Sequence, residues 1–247
     1  MLNIYSSVNW AAIVPMANEA ADFPLFIAEF QKTLDSLGSG HVFFIVDHSS
    51  RDNTRELCEK LEQEDGRFIT LWAPESRSVV DAYLHGFREA YSRGADIIIE
   101  MDAGLSHDPR AIPMFLRFLS EGNECAFGSR FINGGSMVDS PWQRRFLSKG
   151  GTFLARIFLG SKLSDATSGF QGFHREIVGQ LLSYKLKSKA HFYQTEVRYL
   201  LRKRRYIEVP IHYRAPSPRV SKGAIMDSIR VLAFYIAQRL KGTAPSL

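Results

Sequence analysis

WAAIVPMANEAADFPLFIAEFQKTLDSLGSGHVFFIVDHSSRDNT, residues 10–54, is the stretch that decides the fold. It opens on a short apolar run at 10–14 that reads as a strand. Phe23, Phe26, Ile27, Phe30, Leu34 and Leu37 then recur at helical spacing, and a β-branched and aromatic run fills 42–46. A second helix passes through Leu57 and Leu61, with Ser50 or Asp52 as its cap. The pattern continues outward with a strand at 68–72, a helix at 79–91 closed near Gly94, and a strand from 97 to Asp102. Pro109 opens a further helix, and 125–127 reads as a fifth strand. This β-α-β-α order predicts an α/β fold: a Rossmann-like, mostly parallel sheet with helices on both faces.

The second half is more helical. Helices are expected at 142–158 and 192–204, with two short strand candidates, 206–209 and 211–213, split by Pro210. A last amphipathic helix, 223–241, sets Ile225, Ile229, Leu232, Ile236 and Leu240 on one side. That stripe fits either packing on the sheet or lying in a membrane interface. At 45% hydrophobic and 23% charged the chain is globular, and its 247 residues are read as a single domain, 1–247. Cys58 and Cys125 are expected to be reduced core residues, which suits a cytoplasmic protein. No secretory signal opens the chain, and no apolar stretch is long enough to span a bilayer. The expected location is cytoplasmic, at most peripheral on the cytoplasmic face of a membrane.

Charge divides the chain. Residues 1–143 carry 11 Lys and Arg against 21 Asp and Glu, a net −10; residues 144–247 carry 20 against 5, a net +15. Such asymmetry implies two chemical tasks, and the basic half wants an anion such as a phosphate or an anionic membrane surface. Arg202-Lys203-Arg204-Arg205 also fits a nucleic-acid patch, but at a helix end four cations suit the helix dipole. No nucleic-acid partner is expected.

In an open parallel sheet, ligands bind at the carboxyl ends of strands. Four such ends are polar: Pro15-Met16-Ala17-Asn18-Glu19, Asp47-His48-Ser49-Ser50-Arg51-Asp52-Asn53-Thr54, Asp102-Ala103-Gly104-Leu105-Ser106-His107 and Gly128-Ser129-Arg130-Phe131. Their convergence on one edge marks a binding site. No glycine-rich turn follows the first strand, and no phosphate loop ending in Gly-Lys-Ser/Thr exists. The carboxylates would accept hydrogen bonds from a base and ribose, or hold a divalent cation. Asp52 and Thr54 fit a plain helix cap as well. Glu196 fits a structural ion pair.

VPMANE (14–19), VDHSSRDNT (46–54), EMDAGLSHDP (100–109), GSRF (128–131), RRFLS (144–148), SDATSGF (164–170) and VSK (220–222) stand in an order and spacing that resemble one group. It is the inverting family 2 glycosyltransferases of GT-A fold, and within them the dolichol-phosphate mannosyltransferases and other polyprenyl-phosphate glycosyltransferases. The resemblance implies transfer of a hexose, with inversion, from GDP-mannose or a UDP-hexose to a polyprenyl or dolichyl phosphate. It implies a nucleotide-sugar half at about 10–130, an acceptor half at about 131–222, and Mg²⁺ or Mn²⁺ as cofactor. It assigns Pro15, Asn18, Glu19, Asp47, His48 and Asp102 to the nucleotide sugar. Arg130, Arg144, Ser148 and Lys222 go to the acceptor phosphate, with a membrane surface or membrane-embedded partner beside it. Asp102 stands where the metal-binding Asp-x-Asp motif begins, and Asp102, Arg130 and Asp165 form the catalytic set.

The chain departs from that pattern at two acids. The second acid after the second strand is His48, and the second acid of Asp-x-Asp is Gly104. The metal site thus rests on Asp102, and restoring an acid at 104 is expected to tighten it. Two other readings keep the donor site. One is transfer to a glycan hydroxyl, with Asp165 as the base. The other is a degenerate, non-catalytic nucleotide-sugar-binding subunit.

Overall fold

The computed structural model describes residues 8–137, 140–214 and 221–247. Val220, in the 220–222 segment, lies outside the described residues. Seven strands form one sheet: β1 (Trp10–Met16), β2 (His41–Val46), β3 (Phe68–Trp72), β4 (Ile97–Glu100), β5 (Cys125–Ser129), β6 (Gln171–His174) and β7 (Tyr206–Pro210). Their order is β3-β2-β1-β4-β6-β5-β7. The strands expected at 10–14, 42–46, 68–72, 97–102, 125–127 and 206–209 form, and β1 to β4 are parallel, whereas 211–213 makes only isolated bridges at His212 and Tyr213. The unexpected strand is β6, which enters between β4 and β5 antiparallel to both. Pro210 closes β7, an edge strand, where a missing N–H is tolerated.

The apolar runs are unbroken because both faces are covered. In β1, Ala12 and Val14 face one core while Ala11 and Ile13 face the other. The first core is closed by α1 (Phe23–Leu37) and α4 (Ile112–Ser120), through Phe26, Phe30, Leu34, Phe115 and Leu119. α2 (Thr54–Glu64) adds Cys58 and Leu61 there. The second is closed by α3 (Val79–Ser92), α6 (Arg175–Ser183) and α7 (Phe192–Leu200). Each large apolar side chain so buried stabilises by about 1.5–3 kcal/mol. Gly38 ends α1 in the left-handed region, φ 68°, a conformation glycine adopts without strain. Both cysteines are buried and unpaired.

A third layer lies outside α7. α5 (Trp142–Leu154) runs into a π turn (Ala155–Leu159), and α8 (Lys222–Leu240) packs across α7 and that turn. Val231 and Tyr235 are the buried residues of α8; of the apolar stripe, Leu232 and Ile236 pack partly against this layer, whereas Ile229 is 56% and Leu240 84% exposed. Tyr235 donates to Glu196 Oε1 at 2.6 Å, and Asp227 accepts from the Ser188 hydroxyl at 2.5 Å. Two polar ties therefore hold α8, one to α7 itself and one to the loop before it. Glu196 also accepts the backbone N–H groups of Lys187 and Ser188. Its role is that of a buried cap, and an ion pair with the arginine-rich helix is not what it makes. Among the described residues no helix is long and apolar enough to cross a membrane.

Candidate functional site

The winding direction of the sheet reverses between β1 and β4, and a crevice opens there. β1 pairs with β4 only as far as Ile13, so Pro15 lies where the two strands have parted. The loop after β1 is stapled to the loop after β2. Asn18, at φ 60°, donates to Ser49 O at 3.1 Å and accepts the Arg51 N–H at 2.8 Å. Asp52 accepts the N–H groups of Thr54 and Ala20, and Thr54 Oγ1 accepts the Glu19 N–H. Asp52 and Thr54 thus start α2 and also position Glu19. Both ends of the Asn18 amide are engaged in this staple.

Asp47 turns its Oδ1 to the Ser49 N–H and hydroxyl at 2.8 and 2.5 Å. His48 stands edge-on to the half-exposed Trp72, ring centroids 5.0 Å apart, and the Arg55 guanidinium covers Trp72 at 4.2 Å. These side chains form the outer end of the crevice.

Asp102 is the centre. Its Oδ1 accepts the Tyr83 hydroxyl at 2.8 Å, and its side chain remains 40% exposed. Its N–H donates to His107 Nδ1 at 3.0 Å. His107 is buried, which lowers its pKa, and with Nδ1 accepting, the ring is neutral. The 3.9 Å approach of His107 to the Asp102 carboxylate is therefore not an ion pair. Tyr83 stacks on Tyr193, and Tyr193 donates to Glu100. Glu100 shares Asp102's strand but is fully buried, also accepts from Gln171, and is pushed up to about 8 by burial. Glu100 is a structural acid.

The Gly104 position explains itself. Its φ is +66°, and a Cβ there would lie 2.8 Å from Glu19 Oε2. The Glu19 carboxylate therefore reaches the space that a side chain at 104 would enter. Burial, then Asp22, Asp102 and Asp52, raise Glu19 to about 7. A cation is the partner that would relieve this crowding of like charges.

Antiparallel β6 brings the segment before it, Asp165 to Phe170, to the same edge. Arg130 and Asp165 form a buried bidentate pair there, with Nε–Oδ2 at 2.6 Å and Nη2–Oδ1 at 2.8 Å. Arg130 Nη2 also donates to Thr167 Oγ1 at 2.7 Å. Burial raises the Asp165 pKa, but the Arg130 and Arg198 charges and the Arg130 hydrogen bonds outweigh it and hold the group at about 2. Arg130 and Asp165 are thus paired with each other, and the Asp165 carboxylate is fully enclosed.

Arg198 escaped the sequence reading. It is fully buried, donates to Gln171 Oε1 at 3.0 Å, and its Nη atoms reach the carbonyls of Asp165, Gly128, Ser168 and Phe170. One cation thus fixes every strand end on this side of the crevice. Its only sequence signal is its place among Val197, Leu200 and Leu201.

Beyond Thr167 lies a cavity of about 470 Å³ between α5, α7 and α8. Arg144, Ser148 and Thr167 line it with apolar side chains that include Leu154, Ile229 and Leu232. The Arg144 Nε is buried with no hydrogen-bond partner. The outer face exposes Trp142 at 71% and Phe146 at 74%. Lys222, the exposed first residue of α8, does not line the cavity.

Known proteins are similar to this chain. The Micrococcus luteus undecaprenyl-phosphate mannosyltransferase is 28% identical over 236 residues, 93% of this chain and 95% of its own. The Mycolicibacterium smegmatis polyprenol monophosphomannose synthase is 29% identical over 229 residues, 92% of this chain and 84% of its own. Among solved structures, glucosyl-3-phosphoglycerate synthase from Mycobacterium tuberculosis with Mn²⁺, uridine diphosphate and glucosyl-3-phosphoglycerate superposes with a TM-score of 0.63. It is 16% identical, and the match covers 97% of this chain and 81% of that one. At that identity the likeness speaks for the fold. The model of the Glycosyl transferase family 2 domain matches residues 11–182, from the first strand through the crevice to α6. That match spans well over half of the chain, and the chain belongs to glycosyl transferase family 2.

Proposed function

We propose that this protein transfers a hexose from a nucleoside-diphosphate sugar to a polyprenyl phosphate. The carrying observation is the cavity beside Thr167, lined by Phe146, Leu147, Leu154, Ile225, Ile229 and Leu232 together with Arg144 and Ser148. An amphiphile with a phosphate head and a hydrocarbon tail fits that lining, and the relatives' names point to the same acceptor. The phosphate oxygen attacks the anomeric carbon as the bond to the diphosphate breaks. A phosphate monoester, with a second pKa of about 6, is already ionised near neutrality and needs no base. The enclosed Asp165 weighs against the glycan-hydroxyl reading for the same reason. Arg144, whose Nε has no partner, is the cation that docks the acceptor. The exposed aromatic residues of α5, beside Arg145 and Lys149, suit contact with an anionic bilayer surface.

Among the described residues no three His, Cys, Asp or Glu side chains are grouped to hold a metal alone. Mg²⁺ sites commonly take one or two carboxylates plus substrate phosphates. Asp102 and Glu19 fit that role, Glu19 standing in the space left by Gly104. A divalent cation so held would neutralise charge on the departing diphosphate.

Arg144→Ala is expected to lower transfer to a polyprenyl phosphate at least a hundredfold while leaving nucleotide affinity within twofold. Radiolabel transfer from GDP-mannose and UDP-glucose, with calorimetry, checks this. Equal rates to a neutral sugar hydroxyl and to the lipid phosphate would sink the proposal. For the metal, Glu19→Gln is expected to weaken Mn²⁺ binding, in the presence of nucleoside diphosphate, by at least tenfold. Contrary to the reading of the sequence, Gly104→Asp alone should not tighten it, since the new side chain meets Glu19 Oε2 in a strained backbone. Gly104→Asp combined with Glu19→Ala, which vacates that space, should bind Mn²⁺ more tightly than Glu19→Ala alone. Electron paramagnetic resonance of Mn²⁺ measures each variant, and a Glu19→Gln variant that binds like wild type removes Glu19 from the site.

A further inference from the structure

Gln194 stands on α7 at 5% exposure. Its side-chain amide lies beside Gly169, and so does the Asp102 carboxylate. A Cβ on Gly169 would lie 2.3 Å from Gln194 Nε2 and 3.2 Å from both oxygens of Asp102. The amide and the carboxylate thus converge over the same small residue. The backbone of Gly169 has no positive φ, so only the lack of a side chain is required there. On one side lies the donor crevice around Asp102. On the other, Phe192 and Thr195 of the same helix line the acceptor cavity.

We propose that Gln194 binds the hydroxyl groups of the transferred hexose and so selects the donor sugar. The proposal rests on the glycosyl-transfer reading of the crevice. The group that must lie between the diphosphate beside Asp102 and an acceptor beside Thr167 is the sugar itself. A neutral amide offers both donors and an acceptor, which matches neutral hydroxyls. The anionic groups on either side are met instead by Arg144 and by the carboxylate–cation pair. Sites built to hydrogen-bond a substrate hydroxyl discriminate strongly against its absence, because the buried amide is then left unpaired.

The test is made by calorimetry with Mg²⁺ and no lipid acceptor, so that failure of the polyprenyl-phosphate reading leaves it standing. Wild type and Gln194→Met, a change of similar volume, are titrated with GDP and UDP and with GDP-mannose and UDP-glucose. Wild type is expected to bind one nucleotide sugar at least tenfold more tightly than the bare nucleotide. Gln194→Met should lose that increment and keep nucleotide affinity within twofold. Gly169→Ala, which pushes the amide aside, should lose it too, and circular dichroism checks that each variant is folded. Equal affinities for nucleotide and nucleotide sugar in wild type, or a sugar increment retained in either folded variant, would overturn the proposal.

Discussion

Arg198→Met is expected to destabilise the fold by about 3–5 kcal/mol, the scale found when one member of a buried charged pair is removed. The loss has two sources. Asp165 forfeits one of its two cations, and four carbonyls and the Gln171 amide oxygen lose a buried donor. In a chain of 247 residues this should lower Tm by roughly 10 °C. Urea unfolding should show a lower midpoint with the same slope. Arg198→Lys keeps the charge but not the fork that reaches several carbonyls, and should recover less than half. A midpoint for Arg198→Met equal to wild type would mean that the strand ends are held by something else.

Asp102→Asn is expected to lower transfer by at least a thousandfold, about 4 kcal/mol of transition-state stabilisation, with little change in Tm. Asparagine still accepts the Tyr83 hydroxyl, so the crevice keeps its shape. What it loses is the negative charge that holds a cation against the leaving diphosphate. Metal-dependent tightening of nucleotide binding should vanish with it. Steady-state transfer across a Mn²⁺ series checks both effects, and activity above a tenth of wild type at saturating Mn²⁺ would show that the charge at 102 is dispensable.

The first half of the fold was readable because its signals are local. β1, β2 and β4 are apolar runs that end in acids, and the acids line the crevice where strand direction requires. β6 was missed because its four residues, Gln171-Gly172-Phe173-His174, alternate no pattern. Gly172 is there for packing, since a Cβ would come within 3.0 Å of Leu119 and 3.2 Å of Phe115. α6 was missed beside it. Among site residues, Asp102 and Glu19 were legible from their place at strand ends. The true partner of Arg130 was not, because 35 residues separate it from Asp165 and only the antiparallel strand brings them together. Arg198 and Gln194 were invisible for the opposite reason: polar side chains in a helix normally face water, and nothing in their spacing marks the pair as buried. The α8 stripe left two readings open because periodicity alone does not say which face is covered: the helix buries a valine and a tyrosine, and Ile225 and Ile229 line the cavity.

The contact between Gly104 and Glu19 also bears on how such a chain changes through descent. A single substitution that restores an acid at 104 would meet an occupied position and a left-handed backbone. A single substitution that shortens Glu19 would empty that position with nothing to fill it. Each step alone leads downhill, so an ancestor with its second acid at 104 and this chain are separated by a valley that only a paired or compensated change crosses. Residues 85 positions apart thereby inherit as one character, and relatives of this chain are sorted correctly only when both positions are compared together.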